Sequence, residues 1–433
     1  MDTTPIITQD TIAFGILMLT LGFVFYTSSS ENSGWVKLYK IVPALLMAYM
    51  LPAIFTSFGI IAPEWESVNE AGEIVKQESK LYYVSSRFLL PASLVLMTLC
   101  IDLKAVFNLG PKALIMFLTG TVGIIIGGPI AILLISLVSP ETVGGVGPDA
   151  VWRGLATLAG SWIGGGANQA AMLEIYGYNP KLYGGMVLVD IVVANIWMAI
   201  ILIGIGKSEK IDKWLKSDTT AIEELKEKVS TYANKVTKNP SLSDLIVILS
   251  IAFTVVGISH FGADAISAFL VNNFDSVSDK SSALSSFSSQ FFWMITIATI
   301  LGIILSFTSL KKYEGAGASK VGSVFIYILV ATIGMKMDLT MILDNPGLIV
   351  IGIVWMTIHA IILVIVAKLI RAPYFFLAVG SQANVGGAAS APIVAAAFHP
   401  ALASVGVLLA VFGYVVGTYG AMLTAELMRI VAP

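Results

Sequence analysis

Two stretches of this chain combine residue types that can bind a polar solute or an ion. Residues 160–171 read GSWIGGGANQAA and residues 380–392 read GSQANVGGAASAP. Both lie inside long apolar runs, yet each concentrates Gly, Ser, Asn and Gln where a lipid-facing helix would carry Leu and Ile. Glycine costs about 1 kcal/mol relative to alanine within a helix, so residues 164–166 and 386–387 are candidate breaks. A break at mid-membrane frees amides and carbonyls, which is tolerated only where they line a cavity or bind something. Freed helix N-termini offer partial positive charge to an anion, and freed carbonyls with Asn or Ser oxygens offer ligands to sodium. The predicted solute-binding residues are therefore Ser161, Gly165, Gly166, Asn168 and Gln169, facing Ser381, Gln382, Asn384, Gly386, Gly387 and Ser390. Close packing through small residues explains the Gly and Ala but leaves two amides in each motif without a reason.

Asp190 is a carboxylate deep in an apolar run, MVLVDIVVAN. An intramembrane carboxylate is costly and is a functional hypothesis by default. It is read as the group that binds the coupling cation or proton, with Asn195, Asn168 and Asn384 as neighbours. Sodium is the candidate ion at Asp190, Asn168 and Asn384; the alternative is an aspartate that only holds the broken backbone. Asp102 and Asp338 end helices at matched positions, where capping or an interfacial place is expected. Glu426 is read as interfacial and His359 as a packed histidine with a proton-carrying alternative. Arg153 either attracts an anion or anchors its helix. Trp35, Tyr82 and Tyr83 read as interfacial belt residues. Without clustered His or Cys, a zinc-type site is not expected, and no cofactor other than sodium is implied.

The elements that must position these residues are membrane helices. The chain has 433 residues, 57% of them hydrophobic and 12% charged, with mean hydropathy +0.87, far more apolar than a soluble domain. A net charge of −2 gives no general basic surface for nucleic acid. Cys100, the single cysteine, excludes an intramolecular disulfide and a cysteine metal cluster. The N-terminus lacks the basic region and cleavage pattern of a signal peptide, so the first apolar run is expected to be a retained span. Twelve runs are long enough to cross a bilayer, including 151–174, 242–261 and 373–398. The predicted fold is all-α, a polytopic membrane protein of 12–13 spans with inverted repeats and two glycine-broken crossing helices. Residues 1–206 form the first membrane repeat, 207–241 a charged linker and 242–433 the second repeat. Within the linker, Glu224 and Lys228 have the i,i+4 spacing of a solvated helix.

The repeat rests on three landmarks in the same order: Asp102 with Asp338, Pro111 with Pro346, and the two glycine-rich motifs. Loops with Lys104 and Lys112, and with Lys181, have uncharged counterparts, whereas Lys368 and Arg371 answer a loop without basic residues. That asymmetry argues that the halves are inverted. Inversion requires matched spans to be offset by an odd number, while twelve runs give six. Either residues 261–289 hold an extra short or re-entrant span, or one run is not a span.

Through ‑IGGGAN‑ at 163–168 and ‑VGGAA‑ at 385–389, the chain resembles the YjcL-like family of bacterial membrane proteins, and through it a wider group of sodium/proton antiporters, sodium/bile-acid symporters and sodium/glutamate symporters. The resemblance implies inverted repeats, two broken helices crossing near the membrane centre, and a core domain moving against a dimerising panel. The paired aspartates of many antiporters are missing, since Asp190 has no acidic neighbour. The expected function is secondary active transport, not catalysis: elevator-type symport of a small anionic or zwitterionic solute, such as an amino acid, peptide or carboxylate, with sodium or protons. A homodimer in the bacterial inner membrane is expected, with lipid and the solute as partners. The rivals are a cation/proton antiporter, a channel, or an intramembrane enzyme using Ser161 or Ser381 as nucleophile.

Overall fold

The computed structural model describes residues 5–68, 73–218, 222, 239–278, 285–339, 345–399 and 402–433. Seven helices are long and apolar enough to cross a bilayer: α1 (Asp10–Ser28), α4 (Leu81–Leu99), α5 (Pro111–Ser136), α8 (Tyr183–Ile205), α10 (Leu242–Asn273), α13 (Gly347–Ile370) and α16 (Ala403–Val431). The bent pair α2 (Ser33–Ile41) and α3 (Ala44–Ser57) gives an eighth if it is one span. Two further apolar helices, α11 (Gln290–Ser306) and α12 (Ala318–Gly334), have 17 residues each, the short end of what spans hydrocarbon. The chain is a polytopic, helical, multi-pass membrane protein.

Local sequence sets the helix boundaries. Pro111 opens α5, where its missing N–H costs nothing, after Gly110 at φ 92°. Ser241 and Asp244 form a reciprocal capping box at the start of α10. Residues 85–89 of α4 form a π-helical turn.

Two expected spans are not spans. Residues 151–174 fold as α6 (Val151–Gly164) and α7 (Gly166–Tyr176), with Gly165 between them at φ 77°. The chain turns back there: Gly160 packs on the carbonyl of Asn168, the Trp152 and Tyr176 rings lie 5.5 Å apart, and Arg153 bonds the Tyr176 carbonyl. A continuous helix would separate Trp152 from Tyr176 by about 36 Å. Residues 373–398 do the same. Helix α14 (Tyr374–Val385) and α15 (Gly387–Phe398) meet at Gly386, and Tyr374 and Phe375 near the start of α14 touch Phe398 at the end of α15. The predicted crossing helices are thus hairpins, each beginning and ending on one side.

Residues 261–289 hold no separate span among those described, because α10 simply continues to Asn273. The glutamate-rich segment after α3 contains two strands, β1 (Glu64–Val68) and β2 (Ile74–Glu78), paired antiparallel with Glu64 opposite Glu78. Linker helix α9 (Ser208–Leu215) precedes the predicted pair Glu224 and Lys228, which lies outside the described residues.

The helices group into two bundles. Helices α5, α8, α13 and α16 pack around the two hairpins, while α1, α3, α4, α10, α11 and α12 pack on one another. Contacts between the groups are sparser.

Candidate functional site

The turns of both hairpins line one cavity of about 490 Å³ between the bundles. Gly165 and Gly166 reach it from the first hairpin, and Gln382, Gly386, Gly387 and Ser390 from the second. Ser161, Asp190, Asn195 and Ser323 complete its polar wall, and Met97, Ile326, Tyr327 and Tyr414 supply apolar surface. No Lys or Arg is among the lining residues. Helices α7 and α15 start at the cavity without side-chain caps, so their first amides are available to an acceptor.

Asp190, on α8, is 6% exposed. Its Oδ2 accepts from Ser161 Oγ at 2.7 Å and Gln169 Nε2 at 3.2 Å, and its Oδ1 accepts from the Trp162 indole at 2.7 Å. Three donors from the first hairpin thus converge on one carboxylate. In the second hairpin, Ser381 answers Ser161 but meets a histidine. Its Oγ lies 2.8 Å from both Trp197 Nε1 and His359 Nε2. His359 Nδ1 faces the Gly120 carbonyl at 3.0 Å, so Nδ1 carries the proton, Ser381 donates to Nε2, and Trp197 donates to Ser381. All three are buried.

The model of a family described as "Protein of unknown function (DUF819)" matches residues 15–431. The chain belongs to the DUF819 family. It is also similar to the "Uncharacterized membrane protein YjcL" of Bacillus subtilis (strain 168), 24% identical over 357 residues, covering 80% of this chain and 83% of the relative.

In this DUF819 chain, Asn168 and Asn384 do not line the cavity. Asn168 donates to the Gly164 carbonyl at 2.8 Å and accepts from Thr418 at 2.5 Å. Asn384 donates to the Gly380 and Phe117 carbonyls, both at 2.9 Å, and accepts from Thr121 at 2.8 Å. Each amide ties its hairpin to a helix from the opposite half of the sequence, α16 for the first and α5 for the second. Their oxygens are committed to hydroxyls, which leaves Asp190 apart from the two amides expected to share an ion with it. Gln169 and Ser381 are likewise interior braces, whereas Asn195 lines the cavity and donates to the Ile191 carbonyl at 2.8 Å.

Trp162, Trp197, Thr121 and Thr418 were not singled out by sequence reading. Trp162 and Trp197 had a usable signal, since both lie within apolar runs rather than at the interface where membrane tryptophans collect. The threonines had none.

Away from the cavity, Arg87 pairs with Glu174, which also accepts from Tyr82, joining α4 to the first hairpin. Lys336 sits 4.1 Å from the centroid of the Tyr82 ring, and burial lowers its pKa below the usual lysine value. Asp102 caps a short helical turn through the Ala105 amide at 3.0 Å. Arg153 braces the base of the first hairpin. The described residues contain no group of three or more His, Cys, Asp or Glu suited to a metal ion.

Proposed function

We propose that this protein is a secondary active transporter that moves a small zwitterionic or anionic solute, coupled to sodium or protons, by elevator-type alternating access. The observation that carries the reading is one cavity between two bundles, closed by the turns of two hairpins. The hairpins enter from opposite faces. The first has its base beside Arg87 at the start of α4, and the second beside Asp212 and the Asp218–Lys112 pair, next to the start of α5. A single short loop separates the end of α4 from the start of α5, so these are the two sides of the membrane.

Hairpins also remove the parity conflict. With 151–174 no longer a span, each half contributes five spans and one hairpin: α1, α2–α3, α4, α5 and α8, then α10, α11, α12, α13 and α16. Matched spans are then offset by five, an odd number, which supports inverted repeats and favours the sodium-coupled group over an unrelated fold. Lys104, Lys112, Lys311, Lys312, Lys368 and Arg371 share the side of the second hairpin, which makes that side cytoplasmic in a bacterial inner membrane. The core bundle with the hairpins is the moving part. The other bundle is the frame, and a homodimer through that frame would hold it still.

Asp190 is the ion-coupling group, and the uncapped amides of α7 and α15 hold the anionic end of the solute. Antiport of a cation against protons draws on the same carboxylate. It is disfavoured because no second carboxylate joins Asp190 among the residues that line the cavity. An intramembrane hydrolase draws on the Ser381–His359 contact, but Ser381 is 0% exposed and off the cavity, so no substrate carbonyl reaches it.

The test is uptake of candidate solutes into liposomes carrying the purified protein, under a sodium gradient, a proton gradient or neither. Accumulation against a gradient that an ionophore collapses is expected, with Asp190→Asn at least tenfold slower. Passage at channel rates without a gradient would overturn the reading.

A further inference from the structure

The second hairpin carries a feature that narrows the solute. Gln382 is 1% exposed and lines the cavity. Its Nε2 donates to Ser390 Oγ at 2.7 Å across the turn, while its Oε1 has no partner among the described residues. A buried acceptor left unpaired is costly, so it is built to receive a donor from whatever fills the cavity. Ser390 has already accepted a hydrogen bond, and its own proton has no acceptor among the bonds described.

The pair therefore presents one free acceptor and one free donor side by side. Turning the Gln382 amide over leaves the result intact, since Ser390 then donates, its lone pairs accept, and Nε2 becomes the free donor. The backbone is shaped to permit this pairing. A β-carbon at Gly386 would collide with both Ser390 Oγ and Gln382 Nε2, and Gly387 holds φ 55°.

We propose that the Gln382–Ser390 pair binds an uncharged amide group, C=O and N–H together, on a zwitterionic solute. This rests on the transporter reading and names its solute class as amide-bearing zwitterions: short peptides and carboxamide amino acids. A carboxylate offers two acceptors and leaves Oε1 unpaired, and a hydrocarbon leaves both groups unpaired. The Asp190 carboxylate takes the solute's positive end, and the α7 or α15 amides take its carboxylate.

The experiment compares probes that differ only at the amide. Glycylglycine is set against 5-aminolevulinate, which replaces the peptide N–H by CH2, and glutamine against glutamate. Thermal shift and competition are read on the detergent-purified full chain in sodium buffer, for wild type, Ser390→Ala and Gln382→Glu. Wild type is expected to prefer each amide probe at least tenfold, Ser390→Ala to lose most of that preference, and Gln382→Glu to lose it altogether. Ser390→Ala removes one oxygen, and its unliganded melting curve reports whether it folds. Equal binding within both pairs, no binding of either amide probe, or an unchanged preference in a folded Ser390→Ala each overturns the proposal. The transporter reading fails separately, if no solute shows gradient-driven uptake in liposomes.

Discussion

Asp190 accepts three hydrogen bonds through two oxygens, and the three donors differ in what they can be made to reveal. Trp162→Phe removes the indole donor but keeps a ring against Trp355, whose centroid lies 5.0 Å away. Hydrogen bonds to charged groups contribute about 1.5–3 kcal/mol, so the variant should denature earlier by that amount while retaining solute binding. An unchanged midpoint would mean that the indole only fills space. The paired asparagines make a matched prediction. Thr418→Val and Thr121→Val are near-isosteric, and each leaves a buried amide oxygen unpartnered at about 1–3 kcal/mol. Similar losses in the two variants, read by thermal denaturation in one detergent, would be the energetic signature of a repeated bond.

At the scale of elements, the hairpins depend on glycines that allow close approach. A β-carbon at Gly160 would stand 2.6 Å from the Asn168 carbonyl oxygen, so Gly160→Ala should force α6 and α7 apart at a cost of about 1–3 kcal/mol and expose the turn to proteolysis. Resistance equal to wild type would sink the close-packed hairpin. The same elements mark what could be read from sequence. Glycines 164–166 and 386–387 announced where helices end, because glycine is costly inside one. They carried no information on direction, since a helix that resumes and one that turns back need the same interruption. Contacts between residues over twenty apart, such as Trp152 with Tyr176, decide that. Asp190 and the polar motifs were legible because polar groups are conspicuous in an apolar run. The division between wall and brace was not: Asn168 and Gln382 are both buried amides, and only Gln382 lines the cavity.

For the molecule as a whole, the proposed topology puts the base of the first hairpin outside and that of the second inside. Cys100 is the single cysteine, so a Cys100→Ser background permits site-specific labelling. In intact cells a membrane-impermeant maleimide should label Lys181→Cys, beside the first hairpin, and reach Lys368→Cys, beside the second, only after permeabilisation. Labelling of both from the same side would remove the inversion, and with it the argument for alternating access.

The Thr418–Asn168 bond joins residues 250 positions apart. Ribosomes add about 5–20 residues per second, so the first hairpin must wait on the order of tens of seconds for the hydroxyl that secures it. Until then a polar turn sits in a half-made membrane protein with the Asn168 amide oxygen unclaimed. The first half is thus finished before the residue that secures its hairpin exists, and a ribosome stalled before Thr418 would leave the hairpin without that bond.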